Sequence, residues 1–410
     1  YTCRDFGKNY LTSVDENGII FTNGDNDTFP LWYAQETEGY RTDVRVCNLS
    51  YLQTDWYVNQ MKSQAYESDP LPISMEELQY GNKKREYAYI LDRVDYPVSV
   101  KMAMDYFLSD DERTKTIPGY GKINHLPTGE LFIDIDKEKI LKSGIVPKGY
   151  ENKIVDRIDL SFKDKNTLIL NDLAIIDLLS TNAETGWKRP VYFATTVDPS
   201  FFTETDKYFM RTGMAYEVVP VKLENTPGRY QVNTDKMYDN VMNKFVWGGI
   251  DVNPDIYLDE TIRRMCYSYR IMFIDLIDQL IQEGKTDKAL KALDYCMEKI
   301  PGDVVLHNYI SLQLAMDYYF LKQNEKGKAL LEKIADSAIE YVTWINSLDN
   351  NKKRSVQRDY YYNERALAEQ VIPMFYRFGD EESGKKYLEK AALAGVDINR
   401  YFKIDTSKTN

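Results

Sequence analysis

A chain of 410 residues is longer than one ordinary core, and its length predicts about two or three domains. A formal net charge of −12 with no long basic run argues against a nucleic-acid partner, because phosphate binding needs a basic face. No apolar run reaches the roughly 18 residues that would span a bilayer, and the opening at Tyr1, with neither initiator Met nor signal peptide, is that expected of a mature or excised piece.

In chain order, a helical lead is predicted over Arg4 to Val14, with a turn at Asp15 to Gly18. Ile19 to Thr22 is a β-branched and aromatic run that reads as a buried strand. After a polar turn, Thr28 has the character of an N-cap, with Pro30 close to the first helical turn and Gly39 ending the helix after Glu38. Val44 to Leu49 is the next strand, and Thr54-Asp55 opens a helix toward Ser63. Strands joined by a helix of this length are expected to run parallel.

Between Tyr66 and Ile154 the periodicity weakens and turn signals multiply, as at Asp69-Pro70-Leu71-Pro72 and Pro118-Gly119-Tyr120-Gly121. Leu131 to Ile135 alternates as a half-exposed strand does. Asn171 is placed to cap an apolar helix over Asp172 to Asn182, and Pro190 to Thr195 reads as a central strand. Ala215 to Leu223 is expected as a further strand near the sheet edge, since Pro220 disfavours a central place. Beyond about Tyr257 the pattern turns helical, and three stretches, Gly284 to Leu290, Asn324 to Leu330 and Gly379 to Leu388, each place a turn before an amphipathic helix. They resemble the bends of tetratricopeptide repeats at unequal, longer intervals. The predicted fold is therefore an α/β domain, Rossmann-like with a mostly parallel sheet, over residues 1–256 with an irregular insertion at about 66–154, then an all-α array of helical hairpins over 257–410.

Cys47 falls within a strand, and Cys266 and Cys296 fall out of register on two hairpin helices, so free thiols are expected. Two histidines, His125 in a Pro-flanked loop and His307 on a predicted helix, do not support a multi-histidine zinc site or a Ser-His-Asp arrangement.

The segment that draws chemical attention is Asn23-Gly24-Asp25-Asn26-Asp27-Thr28, between a strand and a helix. Ligands of open parallel sheets bind outside the carboxyl ends of strands, where this turn lies. Its carboxylates, Asp25 and Asp27, and its amides, Asn23 and Asn26, have the oxygens to hold a Ca²⁺ or Mg²⁺ ion or the hydroxyls of a sugar. The same residue types also build turns and cap helices with no ligand at all. The segment is neither a complete EF-hand loop nor a phosphate loop. Parallel strands would bring Asn48, Ser50, Thr195, Thr196 and Asp198 to the same rim and leave Arg189 at the opposite one. Trp32, Tyr33, Tyr51, Trp56 and Tyr57 offer ring faces for a sugar, or else serve as packing groups. Asn48-Leu49-Ser50 matches a glycosylation sequon but ends a buried strand.

The runs Ile19 to Tyr33, Asp43 to Ser50 and Thr54 to Tyr57, with Asn171-Asp172 and Trp187 to Phe193, resemble the C-terminal part of a bacterial multi-pass membrane-protein family whose N-terminal region is similar to protein O-mannosyltransferases. The resemblance implies an upstream transmembrane region in the same polypeptide that carries the chemistry, a periplasmic location at the inner membrane, and no catalytic residue in this chain. The expected role is an accessory domain that recognises a protein or glycan acceptor and requires no cofactor. A protein-binding scaffold with a purely structural acidic turn and an autonomous carbohydrate-active enzyme using Asp25 and Asp27 are the alternatives. Adjacent carboxylates on one turn suit the latter poorly, because glycoside hydrolysis needs carboxylates flanking the substrate.

Overall fold

Short strands whose residues are wholly buried organise the first part of the molecule. Helix α1 (Thr2–Thr12) leads into β1 (Ile19–Thr22), followed by α2 (Asp25–Glu38), β2 (Arg45–Asn48) and α3 (Asp55–Met61). Every residue of β1 and β2 is buried, and each large apolar side chain among them contributes about 1.5–3 kcal/mol by leaving water. The computed structural model describes residues 1–119, 121–356 and 358–396, so Tyr120 of the predicted turn at 118–121 and the end of the helical array, 397–410, lie outside the described residues. The chain divides into two units, Tyr1–Gly248 and a second that begins at Gly249.

Farther along the first unit come α4 (Leu170–Glu184), β3 (Val191–Ala194), β4 (Phe209–Arg211), β5 (Ala215–Val218), β6 (Gln231–Val232) and α5 (Thr234–Asp239). Six strands form one sheet in the order β6-β4-β5-β3-β1-β2. β1 runs parallel to both β2 and β3, pairing Ile19 with Arg45 and with Val191. β5 is antiparallel to β3 and to β4, so the sheet is mixed where a mostly parallel one was expected. β5 is also interior, not near the edge. It stops at Val218, before Pro220, so the missing proline N–H costs the ladder nothing.

Two helix starts differ from their local signals. α2 begins at Asp25 with Gly24 as N-cap at φ 116, a backbone conformation that suits glycine alone. Thr28 therefore lies inside the first turn and is not the cap. Its hydroxyl is engaged by Thr22 and Asn48, and Asp25 and Asp27 supply the acidic first turn that the helix dipole favours. Asn171 likewise lies within α4, where Ile169 is the N-cap and Asp172 reaches back to its N–H. The Asn171 amide instead donates to Leu49 O at 3.2 Å, tying α4 to the end of β2.

The insertion at about 66–154 and the stretch just after it build two three-stranded sheets. One joins Thr167–Ile169, Tyr87–Ile90 and His125–Leu126, the other Val98–Ser99, Glu130–Asp134 and Arg157–Ser161. Glu130–Asp134 buries Leu131 and Ile133 and leaves Asp134 exposed, the alternation its sequence predicts.

The second unit is helical: α6 (Glu260–Gln282), α7 (Thr286–Lys299), α8 (Tyr309–Phe320), α9 (Asn324–Ser347), α10 (Arg358–Arg377) and α11 (Glu381–Leu393). α6 packs on α7, α8 on α9 and α10 on α11. The bends share one construction. A residue takes left-handed backbone, Gly284 at φ 73, Lys322 at φ 60 and Gly379 at φ 82. The first turn of the following helix then buries a small residue, Ala289, Gly327 or Gly384. A Cβ on Gly327 would lie 2.7 Å from the Tyr319 ring and one on Gly384 2.5 Å from the Tyr376 ring, so the two helices of each hairpin meet through a missing side chain. His307 precedes α8 and is not within it, because Asn308 is the N-cap. Cys47, Cys266 and Cys296 are buried free thiols, and Cys3 is exposed.

Candidate functional site

The carboxyl ends of β1, β2 and β3 converge as their parallel pairing requires, and the acidic turn sits there. Asp27 is buried, and its Oδ2 accepts from the Asn23 N–H at 3.0 Å and from the Thr196 hydroxyl at 2.8 Å. Burial pushes the Asp27 carboxyl up, against the pull of those two hydrogen bonds. Tyr10 of α1 bonds through its hydroxyl to Thr195 and Thr196, each at 3.2 Å. Thr22 and Thr28 share a hydrogen bond of 2.7 Å, and the Asn48 amide donates to Thr28 at 2.9 Å. Asn48 Oδ1 accepts from the N–H groups of Ser50 and Tyr51, while the Ser50 hydroxyl donates to Asn23 Oδ1 at 2.9 Å.

The predicted rim residues thus fall into two sets. Asn23, Asp27, Asn48, Ser50, Thr195 and Thr196 join one network, with polar groups turned on each other. Asp25 and Asn26 are exposed and outside it. Asp198 accepts from the N–H and hydroxyl of Ser200, which hold its carboxyl below the usual range, and so caps its own turn. The Asn48 amide of the sequon is buried and committed to Thr28. Arg189 lies at the other end of the strands, donating to Asn17 O, Asp69 O, Pro70 O and Ser68 Oγ. Among the described residues no group of three or more His, Cys, Asp or Glu side chains converges as a metal site would need.

The aromatics divide as well. Tyr57 is buried, and its hydroxyl accepts the Asn48 N–H at 2.9 Å. Phe29, Trp32, Tyr51 and Trp56 form a continuous row, with Trp32 stacked on Phe29 at 5.7 Å and on Tyr51 at 6.2 Å between ring centroids, and Tyr51 6.1 Å from Trp56. Trp56 is 54 % exposed and Tyr33 50 %.

Sequence reasoning missed Tyr10, which no local motif marks, and a second polar cluster built on the paired interior strands β3 and β5. Lys236 of α5 lies 3.0 Å from Glu217 Oε2, 2.5 Å from Asp15 Oδ2 and 2.9 Å from the Tyr192 hydroxyl, which donates to Glu217 Oε1 at 2.9 Å. Burial drives the Glu217 carboxyl up against the opposing charge of Lys236. It drives the Tyr192 hydroxyl up as well, helped by Glu217. Lys236, Glu217 and Asp15 line a cleft of about 810 Å³ with Arg41 and Asp43. The available signal was Glu217 itself, a charge within an otherwise apolar strand.

The first unit is thus a mixed α/β domain with a hydrogen-bonded acidic rim, and the second is helical. The particular family is shown by residues 3–236, which match the family model described as TMEM260-associated domain 2, and the chain belongs to that family, a domain linked to a membrane protein family. No curated protein and no solved structure matches the chain. Among the described residues no helix is long and apolar enough to cross a membrane.

Proposed function

We propose that this chain is the extracytoplasmic accessory domain of a glycosyltransferase-like membrane protein and that it recognises a protein or glycan acceptor. The observation that carries the reading is the row Phe29, Trp32, Tyr51 and Trp56, partly exposed beside the acidic turn. Flat aromatic faces flanked by hydroxyls and amides are the usual means of holding a sugar ring. In this reading the transferase chemistry, of the O-mannosyltransferase type, belongs to a membrane-embedded region of the same polypeptide, and this domain faces the periplasm. The first unit is Rossmann-like in the part of its sheet built from β1, β2 and β3, and the helical unit is a tetratricopeptide-like array that presents a surface to protein. Asp25 and Asp27 are not proposed as a catalytic pair, since Asp27 is already engaged by Asn23 and Thr196.

A second reading, a protein-binding scaffold with a structural turn, is favoured by the closure of the rim network on itself. Glycan-array binding of the chain separates the two. Binding of neutral hexose glycans that Trp56→Ala and Trp32→Ala abolish supports acceptor recognition. An array with no signal, alongside capture of a defined protein acceptor by the helical unit's surface variants, supports the scaffold.

A further inference from the structure

The groove between α6, α9 and α10 of the helical unit holds a carboxylate that no cation among the described residues answers. Glu364 of α10 lines it with Glu260, Tyr267, Leu306, Tyr341 and Trp344, around about 460 Å³. Such a volume lies within the roughly 300–1,000 Å³ common for binding sites. Among the described residues Glu364 has no hydrogen bond and no ion pair. Lacking a partner, its oxygens nevertheless escape the full burial that Asp317 Oδ2 suffers in the same unit, so they keep accessible surface at the groove.

The surroundings sharpen the point. Burial alone pushes the Glu364 carboxyl up to about 7, and no positive charge acts on it to bring it down. Arg263 and Arg264 line the same groove, yet Arg263 donates to Leu258 O at 3.2 Å and Arg264 is exposed. His307, also on the wall, is pushed down to about 3 by burial and is neutral at ordinary pH. The charge of Glu364 is felt instead by Tyr341, whose ring centroid lies 5.5 Å from that of Trp344. Trp344 is 49 % exposed, so its ring is open to a partner. A carboxylate beside open aromatic faces attracts a cation twice over, through its own charge and through the negative faces of the rings.

We infer that this groove seats an arginine side chain of a protein partner, with the guanidinium on the Glu364 carboxylate and its plane and stem on the Tyr341 and Trp344 rings. The inference rests on the helical unit's proposed role as a surface for protein and adds the chemistry of the contact to it. Arginine suits the groove better than lysine, because a planar guanidinium stacks on a ring while it forms paired hydrogen bonds to a carboxylate. An acidic segment would meet Glu260, Glu340 and Glu364 together, and the chain's net charge of −12 repels it further.

Titration of the whole chain with a blocked arginine tripeptide, its citrulline, lysine and glutamate counterparts, and methylguanidinium tests it. The readout is the indole N–H signal of Trp344 in NMR spectra, which Trp344→Phe assigns. The arginine peptide is expected to bind at least about tenfold more tightly than the citrulline peptide, a factor equal to ~1.4 kcal/mol. Glu364→Gln keeps the shape and removes the charge, and it is expected to erase that preference without lowering Tm, because burial opposes the charge there. Glu340→Gln, at the exposed neighbour, is expected to retain the preference. A preference that survives in Glu364→Gln, or that Glu340→Gln erases as fully, overturns the inference. So does the lysine peptide, the glutamate peptide or methylguanidinium alone binding as tightly as the arginine peptide. Equal binding of the arginine and citrulline peptides would sink this inference and leave a protein-binding surface standing, whereas no response of Trp344 to any peptide would count against both.

Discussion

Gly327→Ala tests the construction of the helical unit directly. The added Cβ would sit 2.7 Å from two ring carbons of Tyr319 and 3.2 Å from Ala315 O. Carbon pairs prefer about 3.5–4.0 Å, so the ring would have to withdraw by about 1 Å. It is not free to do so, because Tyr319 stacks on Phe378 with centroids 3.8 Å apart and planes at 4°. Overpacking of this kind costs about 1–3 kcal/mol. Alanine returns about 0.8–1.0 kcal/mol of helix propensity, which leaves a net loss near 1 kcal/mol. Thermal unfolding followed by circular dichroism is expected to show Tm lower by about 2–4 °C. Gly384→Ala, facing Tyr376 at 2.5 Å, is expected to behave alike. A rise in Tm for either variant would mean that propensity outweighs contact and that close helix approach does not hold these hairpins.

Three further outcomes follow from charge. The Asp27 carboxyl is raised, so its contribution to stability is present at low pH and lost as pH climbs through its folded pKa; Asp27→Asn does not titrate, and its stability relative to wild type is expected to increase in urea titrations as pH rises from about 4, the ordinary carboxylate range. A flat difference would show that Asp27 titrates as it does in the unfolded chain. Burial pushes His307 down to about 3, so its neutral form adds stability above the ordinary histidine range that is lost on acidification. His307→Gln is expected to flatten that loss, by up to ~1.4 kcal/mol per pH unit below about pH 6.5, in denaturation curves taken at successive pH values. Lys236→Met leaves Glu217 buried with its counter-ion gone, and an equilibrium stability loss of about 3–5 kcal/mol is expected; a loss under about 1 kcal/mol would mean that Glu217 is already protonated.

Short-range pattern determined much of this molecule. The buried strands β1, β2 and β3 follow from runs of β-branched and aromatic residues, and their parallel pairing follows from the helix between β1 and β2. The bends at Gly284 and Gly379 are legible because a left-handed residue is a local requirement of the backbone. Parallel pairing also puts Asn23, Asp27, Ser50 and Thr196 on one rim, and the structure adds which of them bond: Ser50 to Asn23 and Thr196 to Asp27.

Tertiary structure decided what those side chains do. Thr28 has a cap residue's chemistry, but its hydroxyl is taken by Thr22 and Asn48, so the helix starts earlier, at Asp25. Asn171 is drawn inside its helix by Leu49 O, a partner remote in sequence. Pro220 signalled an edge that the chain avoids by ending β5 first. Tyr10 on the rim and Lys236 beside Glu217 carry no motif at all. Their roles depend on which distant groups the fold brings within hydrogen-bond reach, and on which it withholds. Periodicity reports whether a side chain is buried; the identity of its partners is set only when separate segments pack together.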